Sequence, residues 1–298
     1  MSLTRKQFDI LAVLATTKEN PTQRELESIT GHSLGTVNRI LKELNELGYV
    51  ESRKITNIGM TALEPYRAKR AVFIAAGFGS RLVPITFNTP KPLIRVQGVR
   101  IIDRLIDACL NVGIDEIYIV RGHLGEQFDQ LLYKYPMIKF LENPMFNETN
   151  NISSSLVARY LLSNAYVFEA DLLISNPDII KKYHYTSDFL AIKKERSDDW
   201  CLRVKNGVIV EEMVGGEGDD IWQMVGISYW NEADGNKLAQ DIQEVYESPG
   251  GKERYWEQVP LVYKKERYSV RIQECYETDI VEIDTFSELK AIDKTYDV

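Results

Sequence analysis

Cysteine is scarce and scattered: Cys109, Cys201 and Cys275 are the only three in 298 residues, and no two form a Cys-x-x-Cys pair. The spacing offers neither a zinc site nor a disulfide framework, and it fits a reducing compartment. Long apolar runs are missing as well. None approaches the roughly 20 residues of a membrane span, and Met1-Ser-Leu-Thr-Arg-Lys6 leads into an amphipathic stretch instead of the apolar centre of a signal peptide. These absences predict a cytoplasmic protein with no membrane partner. With 44% apolar residues, the chain can bury a sizeable core, and its length suggests two domains.

Charge of one sign is short in each part of the chain. Residues 1–70 carry 11 Lys and Arg against 8 Asp and Glu, leaving 25 against 36 for the remainder. The asymmetry suggests different partners for the two parts, with nucleic acid for the first. Phe8, Leu11 and Leu14 recur at helical spacing. Thr22-x-x-Glu25 reads as a capping box opening a second helix that ends near Gly31. Ser33 can cap a third helix, whose apolar stripe is Leu34, Val37, Ile40, Leu41, Leu44 and Leu47. Tyr49 to Ile55 then reads as a strand entering a basic turn. Three helices and a ribbon resemble the winged helix-turn-helix of bacterial transcription regulators. That resemblance implies a third helix in the major groove, with Thr36, Asn38, Arg39 and Lys42 meeting DNA and Arg53 and Lys54 on the wing. The alternative is a structural or dimerising module that no longer binds DNA, since a net of +3 is a thin electrostatic footprint. A polar hinge, Glu64 to Arg70 with Pro65, separates a domain over 1–66 from one over 67–298.

The commoner phosphate loops are absent too. The apolar run Val72 to Ala76 empties into Gly77-Phe78-Gly79-Ser80-Arg81, but Leu82 stands where a dinucleotide fingerprint needs a third glycine, and no Gly-Lys-Ser/Thr of a Walker loop follows. Glycines without side chains let backbone N–H groups face an anion, while Arg81 and Lys91 add fixed positive charge. The full pattern, Gly-x-Gly-x-Arg-x-x-Pro-x-Thr followed by Pro90-Lys91, resembles the signature of the nucleotidyltransferases that make NDP-sugars and CDP-alcohols.

Beyond it strands and helices alternate, implying an α/β domain with a doubly wound, mostly parallel sheet and a site at the carboxyl ends of its strands. Asp171 and Asp284 each end an apolar strand, where a lone carboxylate is costly unless it is hydrogen-bonded or holds a cation. Two such oxygen ligands suit Mg²⁺ beside phosphates; the alternative for Asp284 is a helix cap. Asn151 and Ser153, at the start of a helix, either read a pyrimidine edge or a phosphate, or form an ordinary cap cluster. Aromatics stand beside acids in Asp198-Asp199-Trp200, Ser228-Tyr229-Trp230 and Tyr255-Trp256-Glu257. Such clusters suit a trimethylammonium head, held by ring faces and carboxylates; their alternative is core packing.

Residues 71 to about 290 are similar to bacterial CTP:phosphocholine cytidylyltransferases, through the glycine loop, Gly122-His-Leu-Gly-Glu-Gln-Phe128, Asn150-Asn151, Glu169-Ala-Asp171, Trp200, Gly226 to Trp230, Tyr255-Trp256 and Glu282-Ile-Asp284. The resemblance implies CTP and phosphocholine as substrates. Ala76, Gly77, Gly79, Ser80, Arg81, Lys91 and Gly122 would hold the nucleotide, and Asp171 with Asp284 the Mg²⁺. Trp200 and Tyr255 would flank the choline, joined by Tyr229, Trp256 and Glu257, while Lys194 would meet a phosphate. Other acceptors stay open (phosphoethanolamine, aminoethylphosphonate or a sugar 1-phosphate). So does a DNA-binding regulator that only senses a nucleotide or choline metabolite. The oligomeric state is undetermined, a homodimer among the options.

Overall fold

A computed structural model describes residues 2–17 and 19–297. The chain forms two compact units, one of residues 1–67 with 182–185, the other of 68–181 with 186–298. In the first unit, three helices, α1 (Arg5–Thr16), α2 (Gln23–Thr30) and α3 (Leu34–Glu46), precede a hairpin of β1 (Val50–Glu51) and β2 (Lys54–Ile55). A further helix, α4 (Asn57–Leu63), follows it. Capping fixes the boundaries. Thr22 and Glu25 form the expected reciprocal box, Gly31 closes α2 in the left-handed conformation, and Ser33 caps α3. Sequence reasoning missed α4 and a second capping box at Thr4 and Gln7.

The hairpin turns through Ser52 and Arg53, both at positive φ, which is the twist a two-residue turn needs. Phe8, Ile10, Leu11, Leu26, Val37, Ile40 and Leu44 fill the core. Tyr183, from the four-residue segment contributed late in the chain, joins that core, and Tyr185 stacks on Tyr66 at 5.6 Å. The Tyr185 hydroxyl donates to the Leu3 carbonyl at 3.1 Å.

The second unit begins with β3 (Arg70–Ile74), the short pair β4 (Arg95–Val96) and β5 (Val99–Arg100), α5 (Ile101–Asn111), β6 (Glu116–Arg121) and β7 (Lys139–Glu142). Then come α6 (Ile152–Ala158), β8 (Ala165–Glu169), β9 (Leu172–Ile174), β10 (Asp188–Lys193), β11 (Arg196–Lys205), β12 (Val208–Glu217) and β13 (Ile221–Trp230). The unit closes with α7 (Glu232–Glu247), β14 (Arg271–Cys275), β15 (Ile280–Glu282) and α8 (Phe286–Ile292). Residues 125–133 wind as tighter 3₁₀ turns; the apolar spacing of Phe128 to Leu132 alone reads as an α-helix.

Nine strands form one sheet in the order β10-β14-β12-β11-β13-β8-β3-β6-β7. It is mixed where the sequence suggested mostly parallel. β8, β3, β6 and β7 run parallel, whereas β13 meets β8 antiparallel and β11 pairs antiparallel with both β12 and β13. Side chains alternate across this sheet. Ala71, Phe73, Tyr166, Phe168 and Tyr229 enter one core; Val72, Val167 and Trp230 enter the other, with Phe189 and Trp256. Both faces are therefore covered, and the free space lies at the strand ends.

Candidate active site

The parallel strands β3 and β8 are neighbours, so the loops leaving their carboxyl ends emerge side by side. One is the glycine loop. Gly79 has φ +68°, and a Cβ there would stand 3.1 Å from Thr86 and 3.3 Å from Lys91, so the turn tolerates no side chain. Thr86 donates its hydroxyl to the Gly79 carbonyl at 3.0 Å and fixes the loop's return. The other loop carries Asp171 into β9, which pairs antiparallel with β15. That small ribbon sets Glu282 opposite Leu172, and Ile283 N–H donates to the Asp171 carbonyl at 3.3 Å, delivering Asp284 to the same place. Leu82, Ile94, Ile101, Leu173, Ile283 and Leu289 pack beneath, clamping the loops to one another.

A cleft of about 260 Å³ results, lined by Gly77, Gly79, Ser80, Arg81 and Lys91 from one side and by Ala170, Asp171 and Asp284 from the other. Lys91 Nζ donates to Asp171 Oδ2 at 2.8 Å and to Asp284 Oδ1 at 3.2 Å; Arg81 Nη1 donates to Asp284 Oδ2 at 2.7 Å. Burial works to lower the Lys91 pKa, but Asp171 and Asp284 more than offset it and hold the ammonium charged. Asp171 Oδ1 is buried and has no hydrogen-bond partner. Asp284 does not cap α8. Thr285 does so with Glu288, and Asp284 lends only its N–H to Glu288, which frees its carboxylate for the cleft.

Two further acids went unassigned in the sequence. Glu169 and Glu282 each stand two residues before an expected ligand, so both loops read Glu-x-Asp. Oxygens of Glu169, Asp171 and Glu282 all lie within 4.8 Å of one another. Burial first, then neighbouring carboxylates, pushes Glu282 up to about 9 and raises Glu169 well above the usual range. A Cβ on Gly226 would stand 2.7 Å from Glu169 Oε2, so that glycine makes the room Glu169 occupies.

The remaining sites divide. Asn151 is spent on internal bonds: its Nδ2 donates to Glu169 Oε1 at 3.3 Å and Glu257 Oε2 at 3.5 Å, and its Oδ1 accepts from Trp256 N–H at 2.9 Å. Ser153 is buried, bonded to Asn143 and the Asn150 carbonyl. Ala76 is buried and its carbonyl accepts from His123 N–H, while Gly122 lies against the Phe146 ring. Trp200 and Tyr255 do meet, edge to face, with centroids 5.3 Å apart. Tyr229 and Trp256 do not join them. Tyr229 is fully buried and donates to Asn164 at 3.4 Å; Trp256 is 3% exposed, stacked on Phe189 and edge-on to Trp230. Their ring faces are taken by core packing, which corrects the aromatic reading at both positions. Glu257 is buried beside them. Lys194 is outside the cleft lining and pairs with Glu277.

In the first unit, Asn38, Arg39, Lys42, Arg53 and Lys54 are exposed, and Thr36 is half-buried with its backbone N–H held by Ser33. Arg39 pairs with Glu43 and Lys42 with Glu46 on the same helix, so the helix cations are partly neutralised locally.

Among the described residues no helix is long and apolar enough to cross a membrane. Residues 1–55 match the MarR family and residues 70–205 the Nucleotidyl transferase family. A 2-aminoethylphosphonate cytidylyltransferase of Lancefieldella rimae is 35% identical over 230 residues, covering 76% of this chain and 92% of that protein. A choline-phosphate cytidylyltransferase of Streptococcus pneumoniae is 28% identical, covering 76% and 97%. The solved structure of the CTP:phosphocholine cytidylyltransferase from Streptococcus pneumoniae matches with a TM-score of 0.70 at 27% identity, covering 77% of this chain and 99% of that one. With a glycine loop, two converging Glu-x-Asp loops and these relatives, the chain belongs to the nucleotidyltransferase family as a cytidylyltransferase that carries a MarR-type winged helix at its amino end.

Proposed function

We propose that the second unit transfers the cytidylyl group of CTP to a phosphate or phosphonate oxygen of a small, cation-headed acceptor, phosphocholine and 2-aminoethylphosphonate being two of the forms named among its relatives. The observation that carries this reading is the crossed charge network of Arg81, Lys91, Asp171 and Asp284 at the mouth of the glycine loop. Without ligand the cations and acids neutralise one another. A triphosphate would take the cations, and a divalent ion would take the acids. The partnerless Asp171 Oδ1, and the Lys91 ammonium seated between two carboxylates, fit residues that hold Mg²⁺.

The acceptor oxygen attacks the α-phosphorus of CTP as the bond to the β-phosphate oxygen breaks, and pyrophosphate leaves. The acceptor arrives as an anion, so no strong base is required and the work is alignment and charge neutralisation. Gly77 and Gly79 would let backbone N–H groups approach the phosphates. Arg81 and Lys91 would exchange carboxylate partners for phosphate oxygens, stabilising charge on the α-phosphorus and on pyrophosphate. Mg²⁺ held by Asp171 and Asp284 would supply Lewis-acid polarisation of phosphate oxygens. Trp200 and Tyr255 would flank the acceptor's cationic head. Pyrophosphate release from CTP with each acceptor tests the reading, with UTP and dTTP as comparisons. No release with any pair refutes it.

A second reading concerns the first unit. The exposed Asn38, Arg39 and Lys42 of α3 and the Arg53–Lys54 turn support DNA contact. A mobility shift on random duplex that weakens steeply with salt supports it; no shift at low salt refutes it.

A further inference from the structure

β3 has two parallel neighbours in the sheet, β8 on one side and β6 on the other. The loop after β8 carries Asp171; the turn after β6 carries His123. That turn is built tightly. Leu124 has φ +49°, a conformation most side chains avoid, and Arg121 Nη1 holds the Gly125 carbonyl at 3.0 Å. From this turn His123 reaches the glycine loop through both its backbone and its ring. Its N–H donates to the Ala76 carbonyl at 3.0 Å, where the loop leaves β3. Its ring Nε2 lies 2.8 Å from the Thr86 carbonyl oxygen. A carbonyl only accepts, so this nitrogen carries the proton. The same ring meets Phe78, which stands between the two glycines, edge to face with centroids 4.6 Å apart. Gln127 adds a bond from its Nε2 to the Asn88 carbonyl at 2.8 Å.

Thr86 passes this support inward. It is fully buried, and its hydroxyl donates to the Gly79 carbonyl at 3.0 Å, so one residue joins His123 to the left-handed Gly79. Gly79 leads directly into Ser80 and Arg81, and its backbone lies against the Lys91 side chain, 3.3 Å from where a Cβ would stand. A displaced Thr86 therefore moves the base on which both cations are mounted. His123, Thr86 and Phe78 are themselves outside the cleft lining. We propose that His123 is a positioning residue for the nucleotide: through Thr86 and Phe78 it holds the glycine loop in the shape that aims Arg81 and Lys91 at the triphosphate. The inference rests on the cytidylyl-transfer reading and deepens it. Because the ring acts through the loop alone, its loss should fall on CTP and leave the acceptor untouched. A purely structural histidine would disturb both substrates alike.

The test is steady-state pyrophosphate release by the full chain with CTP and Mg²⁺, using phosphocholine and 2-aminoethylphosphonate as acceptors. His123→Phe keeps a ring beside Phe78 but has no donor for Thr86. It should lower kcat/KM for CTP by about 10- to 100-fold, the scale of a small misplacement of reacting groups, and spare the acceptor KM. His123→Gln, which offers an N–H at similar reach, should recover most of the loss. Thr86→Val cuts the bond to Gly79 with little change of shape, and should by itself reduce kcat/KM for CTP and spare the acceptor KM. Adding His123→Phe to Thr86→Val should cost far less than His123→Phe alone, since the two act along one path. A melting curve for each variant confines the comparison to folded protein, and Thr86→Val tests the same path if His123→Phe melts below the assay temperature. CTP kinetics near wild type in both single variants, equal KM changes for CTP and acceptor, or additive losses in the double variant would overturn the inference while leaving cytidylyl transfer intact. Absence of release by wild type with either acceptor would remove both.

Discussion

The cleft of Arg81, Lys91, Asp171 and Asp284 and the region of Glu212 and Glu257 treat buried acids in opposite ways. In the cleft, Lys91 and Arg81 each lie on a carboxylate, so the ligand-free protein pays for its charges with internal pairs. On the β12 side of the sheet, Glu212 and Glu257 make no ion pair among the described residues, and burial raises both, to about 7 and about 8. The first arrangement neutralises itself; in the second, the Glu212 oxygens make no hydrogen bond while Glu257 accepts from Asn151. On the cytidylyl-transfer reading, binding energy from CTP must exceed the ion pairs it breaks.

Mutations should separate the two regions, the largest effect first. Asp171→Asn removes a charge from both Lys91 and the position proposed for Mg²⁺, and should abolish Mg²⁺-dependent turnover with little loss of fold, checked by pyrophosphate release and a thermal melt. Lys91→Ala should lower kcat by about 10²- to 10³-fold, like removal of other groups that stabilise developing negative charge. Near-normal turnover in that variant would remove Lys91 from the chemistry. Trp200→Ala belongs to the other region. It should raise the acceptor KM by about 3- to 30-fold, from loss of one cation–ring contact, and spare the KM for CTP.

The smallest effect is on stability. Glu212 and Glu257 have folded-state pKa values above the usual 4.5, so their favourable contribution is complete below 4.5 and is lost as pH rises through about 7 and 8. The ligand-free protein should lose melting temperature across that window, and Glu212→Gln should flatten the fall. Glu282, raised to about 9, and Glu169 add to the same fall, whereas Lys91, raised by Asp171 and Asp284, keeps its contribution throughout.

What could be read from residues alone was local. The capping box at Thr22 and Glu25, the Ser33 cap and the stripe on α3 depend on neighbours three and four positions apart. The turn at Gly79 depends on a backbone conformation that one residue type prefers. Long-range pairing was harder. The Asn206–Gly207 turn, both residues at positive φ, was a legible hairpin sign that was passed over, and with it the antiparallel half of the sheet. Spacing cannot say which face of a strand an aromatic takes once both faces are buried, so Tyr229 and Trp256 read like Trp200 until the cores were seen. The Glu-x-Asp repeat at residues 169–171 and 282–284 was visible, but its meaning needed the β9–β15 ribbon that brings the loops together. The segment Lys182–Tyr185 joins the first unit through contacts that no local pattern announces.

The most direct test of the account is a calorimetric titration of CTP into the full chain, with and without Mg²⁺, repeated on Asp171→Asn. Saturable binding to wild type that strengthens with Mg²⁺, and loses that strengthening in the variant, is the predicted result. Absence of affinity for CTP or any other nucleoside triphosphate, or identical Mg²⁺ dependence in both proteins, would contradict it.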